Sequence, residues 1–193
     1  MSQDGEGATY FLRSEGFEPV AVFKPQDEEP FMPNNSKGWV GTLNQVGFRP
    51  GVLSGEGCQR EVAAYMLDHG NLAGVPATAM VSSWNEEYAN GPGSPSAGGV
   101  DPPRKLGAFQ LFIHYDGMAE DWSHSMFSVE DVQKIAILDI RLLNLDRNST
   151  NILVRRNPDT KKLGLVPIDH GLCIPHCLEV PWYSWVWLRW RQV

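Results

Sequence analysis

Asp146, Asn151 and Asp169 are the residues whose types and spacing could do chemistry. An acid, an amide five positions later, and a second acid at the head of an Asp-His-Gly triplet make a set that can hold Mg²⁺ against a nucleotide triphosphate and orient an acceptor hydroxyl. Mg²⁺ takes few protein oxygens and fills its shell with phosphate oxygens, so the Asn151 amide and the Asp169 carboxylate suffice as metal residues. Asp146 is then the group beside the acceptor hydroxyl. Residues 151–154 (NILV) and 163–168 (LGLVPI) are apolar and flank the turn formers Asn157, Pro158 and Asp159. This pattern predicts a β-hairpin that folds Asp169 back beside Asn151. Taken alone the motif is weak, because Asp and Asn are ordinary turn residues.

The elements that must position this set lie upstream. Residues 4–13 (DGEGATYFLR) place Gly5 and Gly7 before a strand-like run, and glycine lets backbone N–H groups approach phosphates closely. Residues 20–24 (VAVFK) alternate as a half-buried strand that ends in Lys24, with Pro25 stopping it. Residues 56–69 predict a helix with Val62, Tyr65, Met66 and His69 on one face and Gly70 at its stop. Glu61 lies in that helix. It is the candidate carboxylate to pair with Lys24, although a single helix glutamate is more often a solvated charge. A glycine loop, a strand lysine, a helix glutamate, Asp-x₄-Asn and Asp-x-Gly in that order are much harder to obtain by chance than any one of them.

These residues resemble the phosphatidylinositol 3-/4-kinase superfamily, and within it the plant-type gamma phosphatidylinositol 4-kinases, also called ubiquitin-like domain kinases. The likeness is carried by residues 20–41 (VAVFKPQDEEPFMPNNSKGWVG), 55–81 (GEGCQREVAAYMLDHGNLAGVPATAMV), 107–114 (GAFQLFIH), 137–154 (ILDIRLLNLDRNSTNILV) and 165–171 (LVPIDHG). The resemblance implies ATP and Mg²⁺ as cofactors. It implies that Gly5, Gly7, Ala8 and Thr9 cover the phosphates, that Lys24 contacts the α-phosphate with Glu61 orienting it, and that Gln110, Leu111, Phe112 and Ile113 line the hinge beside adenine. Asp146 is implied as the base or hydroxyl-orienting residue, with Asn151 and Asp169 on the metal. Many relatives have His where this chain has Asn148, and Asn accepts no proton at neutral pH, so the base role falls on Asp146 or is weakened. The acceptor implied first is the inositol ring of phosphatidylinositol. Ser or Thr hydroxyls of protein are the alternative within the family, and a non-catalytic pseudokinase or interaction module is the alternative outside catalysis.

The expected fold is α+β, a two-lobed protein-kinase-like architecture. Residues 1–112 form a small lobe of antiparallel sheet plus one helix, interrupted by a flexible Gly/Pro/Ser-rich loop at 85–103, and residues 113–193 form an incomplete, helical large lobe. Ser128 caps a helix that carries Val132, Ile135, Asp139 and Leu142 on one face, where Asp139 is either a buried partner for an arginine or exposed. The chain stops soon after Gly171, short of the remaining helices of such a lobe. A trimmed or truncated product of low thermal stability is expected.

Sixteen Lys and Arg stand against 23 Asp and Glu, a net charge of −7, and this overall field draws the chain neither to nucleic acid nor to anionic bilayers. Arg155, Arg156, Lys161 and Lys162 read as a solvated basic turn rather than a headgroup site. No apolar run is long enough to span a membrane and the acidic N-terminus is unlike a signal peptide, so a cytoplasmic protein with at most peripheral membrane contact is expected. Cys58, Cys173 and Cys177 form no disulfide framework. His170, Cys173, His176 and Cys177 lie close together but lack a distant ligand pair, so reduced thiols are expected rather than zinc. Residues 181–191 (PWYSWVWLRWR) read as core aromatics of a larger lobe rather than as a membrane-interface or base-stacking tail, left partly exposed where the chain ends.

Overall fold

A computed structural model of the chain describes residues 5–85, 88, 104–177 and 183–193. Its first half is a four-stranded antiparallel sheet in the order β1-β2-β4-β3, built from β1 (Tyr10–Arg13), β2 (Pro19–Pro25), β3 (Thr78–Ser83) and β4 (Lys105–Leu111), with α1 (Gly57–Leu67) packed against β3 and β4. Alternation along β2 turns Ala21 and Phe23 into the interior, leaving Lys24 on the opposite face. Phe23 packs there with Ala8, Tyr10 and Tyr88. In the register of β2 with β4, Lys24 faces Ala108 and Pro25 faces Gly107. A Cβ on Gly107 would stand 2.4 Å from the Lys24 carbonyl oxygen, so only glycine lets the two strands close behind the lysine.

The chain leaves this sheet after Leu111 and enters a second one at β5 (Gly117–Met118), followed by α2 (Val129–Leu142), β6 (Asp146–Arg147), β7 (Ile152–Arg156), β8 (Leu163–Pro167) and β9 (Ser184–Trp185). Strands β5, β7 and β8 form an antiparallel sheet, and β6 pairs with β9 in parallel. Ser128 caps α2 by accepting the Asp131 N–H at 3.0 Å. The helix buries Val132, Ile135, Asp139 and Leu142, the expected face, and ends at Leu143, which turns left-handed at φ 47°. Ile135 and Val132 pack with Ile152, Val154, Trp187 and Trp190 into the second core. Of the described tail tryptophans, Trp187 and Trp190 are core residues, as expected, and are not left exposed. Trp187 and Trp190 are buried and Trp185 packs against them.

The structure corrects the expected core face of α1. Cys58, Glu61 and Ala64 turn inward, whereas Tyr65 and Met66 are exposed. Burial is decided by what the helix must deliver, a carboxylate facing β2, and that turns the apolar stripe outward. The loop expected at 85–103 lies outside the described residues apart from Asn85 and Tyr88. Among the described residues no helix is long and apolar enough to cross a membrane.

Candidate active site

The side chains of Lys24, Glu61 and Asp169, from distant parts of the chain, meet in one place. The Lys24 ammonium donates to a Glu61 carboxylate oxygen and, at 3.1 Å, to Asp169 Oδ1. Glu61 accepts the His170 backbone N–H at 3.0 Å on its other oxygen. Burial works against the charge on Lys24, but the carboxylates of Asp169 and Glu61 outweigh it and hold the ammonium well above its ordinary range. Burial likewise penalises Glu61, yet the charge of Lys24 and the contact with His170 win and keep it a carboxylate far below the usual range. Burial pushes the His170 imidazole below its ordinary value, opposed by Glu61. This imidazole, fully buried beside the site, is therefore neutral at pH 7.

The pairing is fixed by groups that short motifs do not reveal. Glu29, just past β2, accepts the Gly57 and Cys58 N–H groups at 2.9 and 2.7 Å. It thereby caps the first turn of α1, where no side chain of the helix does so. One residue earlier, Glu28 is fully buried and accepts from Tyr10 Oη and Lys105 Nζ, both at 2.7 Å. Together they tie the strand that carries Lys24 to the helix that carries Glu61.

The loop that carries Asp146 and Asn151 is held by a buried ion pair. Arg147 and Asp139 are both fully buried, with Arg147 Nε 3.1 Å from each Asp139 oxygen. Arg147 Nη1 donates to the carbonyls of Asn151 and Ile168, each at 2.6 Å. One guanidinium therefore clasps the residue that bears one expected metal group and the residue preceding the other. Asp139 also accepts from Asn144 Nδ2 at 3.1 Å and Trp187 Nε1 at 2.9 Å.

Strands β7 and β8 pair Ile152 with Pro167, and the Ile168 N–H donates to the Asn151 carbonyl at 3.0 Å, so the hairpin returns Asp169 to Asn151 as its pattern requires. Asp169 sits in the left-handed region at φ 55°, a strained conformation for a residue with a Cβ. Its carboxylate is half-exposed, and Oδ2 has no hydrogen-bond partner among the described residues. Asn151 is buried and its Nδ2 donates to the Asp146 carbonyl at 2.9 Å, which commits the amide nitrogen and leaves the oxygen for a cation. An amide oxygen and a free carboxylate oxygen on a shared clasp suit a hard, oxygen-seeking ion such as Mg²⁺.

Asp146 is engaged on both oxygens, with Arg49 Nη2 at 2.7 Å and Asn148 Nδ2 at 3.2 Å. Asn148 itself caps the turn at 149–151, its Oδ1 accepting the Thr150 and Asn151 N–H groups at 3.0 and 3.2 Å.

The residues expected around the nucleotide divide. Gly5 is exposed at φ 79° with open space where a Cβ would be, and Gly7 and Thr9 are half-buried. Ala8 departs from the expectation. Its N–H donates to the Glu28 carbonyl at 3.3 Å and its side chain lies in the core, so its amide is committed to the fold. On the hinge side, Leu111 and Phe112 donate their N–H groups to the carbonyls of Ala77 and Val20 at 2.9 and 3.0 Å, and buried Gln110 donates its side-chain amide to Thr78 at 2.9 Å. All three serve the sheet, leaving Ile113 as the residue of the four without such a bond. His170 and Cys173 are fully buried, and burial pushes the Cys173 thiol up to about 12. His176 is exposed on the same loop. Among the described residues, no three His, Cys, Asp or Glu side chains gather as a metal site.

Residues 14–183 match the family model described as phosphatidylinositol 3- and 4-kinase. The chain belongs to the phosphatidylinositol 3- and 4-kinase family. Among similar proteins of this family, phosphatidylinositol 4-kinase gamma 6 of Arabidopsis thaliana is 42% identical over 198 residues, covering 97% of this chain and 32% of that protein. Phosphatidylinositol 4-kinase gamma 5 of the same plant is 44% identical over 192 residues, covering 96% and 30%. Phosphatidylinositol 4-kinase gamma 4 of Oryza sativa subsp. japonica is 42% identical over 203 residues, covering 100% and 33%. The chain thus spans about a third of the length of these curated relatives. Arg49, Arg147, Asp139 and Glu29 are the residues that sequence reasoning missed or left open as parts of a kinase site. For Arg147 a signal existed, since it adjoins Asp146 and a polar Asp139 interrupts an apolar helix face.

Proposed function

We propose that this chain is a phosphotransferase domain that moves the γ-phosphoryl group of ATP to an inositol-ring hydroxyl of phosphatidylinositol, with residues 1–112 and 113–193 as its two lobes. The observation that carries this reading is the Lys24 ammonium held between Glu61 and Asp169, with Asn151 on the adjoining loop. A fixed, permanently charged lysine beside a free carboxylate oxygen is what phosphate positioning needs. The names of the relatives supply the acceptor class.

In this mechanism Lys24 neutralises phosphate charge and Glu61 keeps it from swinging away. Asn151 and Asp169 would hold Mg²⁺, which when bound supplies neutralisation of the transferring phosphoryl group. Asp146 orients the acceptor hydroxyl and accepts its proton as the new P–O bond forms and the bond to the β-phosphate breaks. For that, the hydroxyl takes the place of Arg49 or Asn148 on one Asp146 oxygen. The turn at 5–9 covers the phosphates through Gly5, Gly7 and Thr9, and Ile113 with its neighbours flanks the adenine.

Incubation with labelled ATP, Mg²⁺ and phosphatidylinositol in detergent micelles tests this directly. Label on the lipid, abolished in Asp169→Ala, is expected. Label on added protein with none on lipid overturns the proposed acceptor, and no transfer to either overturns the activity.

A further inference from the structure

Residues 46–53 form a small hairpin whose tip reaches across to the segment 145–177. Val46 bridges Leu53, and the Gly47 N–H donates to the Val52 carbonyl at 3.2 Å. Gly51 closes the turn in the left-handed region at φ 87°, a conformation that glycine adopts without steric penalty. The tip then makes three contacts of different kinds with residues far along the chain. Arg49 Nη2 donates to Asp146 Oδ1 at 2.7 Å, across 97 positions of sequence. The His176 N–H donates to the Gly51 carbonyl at 2.8 Å. Val52 is buried and packs with Leu145, Leu172 and Cys177. The seat is itself fixed, because Arg60 of α1 donates to the carbonyls of Cys173 and Ile174.

The tip thereby holds a guanidinium on the acid that the proposed reaction uses. With Asn148 Nδ2 on the other oxygen at 3.2 Å, an incoming O–H meets a competing donor at each oxygen of Asp146. Arg49 cannot give up its charge, so it leaves only by finding other oxygens. The two side chains are 33% and 27% exposed, so this exchange of partners needs no opening of the core. A lone water is a poor partner for it. Water offers one oxygen, and that oxygen is the one that must attack phosphorus. A polyol ring offers several: one hydroxyl can donate to Asp146 while a neighbouring oxygen accepts from the displaced guanidinium.

We propose that Arg49 selects a polyol acceptor over water: the hairpin at 46–53 keeps Asp146 occupied until a ring with adjacent oxygens arrives, and so suppresses hydrolysis of ATP. In that hydrolysis the water oxygen bonds to the γ-phosphorus as the bond to the β-phosphate oxygen breaks. The water proton passes to Asp146, and ADP and inorganic phosphate are left. Arg49 acts through Asp146 and is a positioning residue. This rests on the reading of the acceptor as an inositol ring oriented by Asp146, and it adds what excludes the competing acceptor.

Phosphate release from ATP and Mg²⁺ by the full chain, with and without phosphatidylinositol micelles, tests it. Without lipid, Arg49→Met should raise release by about two- to fivefold, the bias that an ion pair of this exposure gives. With lipid, the same variant should place less label on phosphatidylinositol per ATP consumed. Asp146→Asn added to Arg49→Met should cancel the rise, which a merely structural role for Arg49 would not do. Val52→Ala loosens the seat and leaves Arg49 in place, and it should raise release in the same direction by less. Hydrogen exchange reads the closure without any chemistry: the amides of Val52 and His176 should exchange faster in Arg49→Met, with those of α2 unchanged. Unchanged phosphate release in Arg49→Met, in a chain that labels phosphatidylinositol, overturns the proposal, as does a rise that survives Asp146→Asn. Unchanged exchange at Val52 and His176 overturns the closure itself. Faster exchange there, in a chain that neither hydrolyses ATP nor labels lipid in any variant, upholds the closure and overturns only the proposed activity.

Discussion

Asp139→Ala removes a carboxylate that serves three buried donors at once: Arg147 Nε, Asn144 Nδ2 and Trp187 Nε1. Arg147 is fully buried and cannot become neutral, so its charge is stranded in the core. Removing one partner of such a pair costs about 3–5 kcal/mol. For a chain of this size that is a fall in melting temperature of roughly 6–20 °C. Because the same guanidinium holds the carbonyls of Asn151 and Ile168, ATP turnover measured well below the melting temperature should fall with stability. Thermal unfolding followed by circular dichroism gives the first quantity and label transfer to lipid the second. The double variant Asp139→Leu with Arg147→Met should recover most of the lost stability, since an apolar pair removes the stranded charge, yet not the activity, since nothing then clasps the two carbonyls. A melting temperature for Asp139→Ala within about 2 °C of wild type would refute the claim that this pair holds the loop of Asp146 and Asn151.

Other perturbations give separable outcomes. Lys24→Met should lower phosphoryl transfer by about 10²–10³-fold, as loss of a preorganised charge does, and a variant retaining a tenth of wild-type turnover would exclude a phosphate role for Lys24. Gly107→Ala places a methyl 2.4 Å from the Lys24 carbonyl, and urea titration should show a loss of about 1–3 kcal/mol from the forced strand shift. Stability should fall on acidification in two stages with one sign. His170 is depressed from its ordinary value of 6.5, so its contribution is complete above that pH and declines as pH falls through the lower folded-state value. Glu61 is depressed from 4.5, so its contribution is complete above 4.5 and is lost at lower pH. Urea midpoints measured from pH 8 downward follow this course, and in Glu61→Gln the part of the decline below pH 4.5 should shrink; an unchanged acid limb would remove Glu61 as its source.

What could be read from the sequence was whatever local pattern controls. The apolar, turn, apolar order of residues 151–168 dictated the hairpin, and the alternation in residues 20–24 put Lys24 on the face opposite Phe23. Ser128 and the period of α2 were equally plain. The face of α1 was not, because Glu61 is driven inward by partners on β2 and at His170, which a helix period cannot register. Glu29 as a cap for α1, and Arg49 on Asp146, were hidden for the same reason: each acts on a residue far along the chain, and a lone charge in a sequence carries no label of its partner. Ala8 and the amides of Leu111 and Phe112 illustrate a further limit, since a residue in the right segment can have its N–H already spent on a neighbouring strand.

The cap that Glu29 places on α1 has a kinetic meaning. Two backbone amides at the start of the helix are leashed to the chain emerging from the strand of Lys24, so the helix cannot drift from that strand without forfeiting both. The ordering of lysine and carboxylate is thus settled during folding and not at each encounter with ligand. Under the proposed function, association of nucleotide is expected to be a one-step collision whose observed rate climbs linearly with concentration, and a plateau in that rate would contradict the preordering.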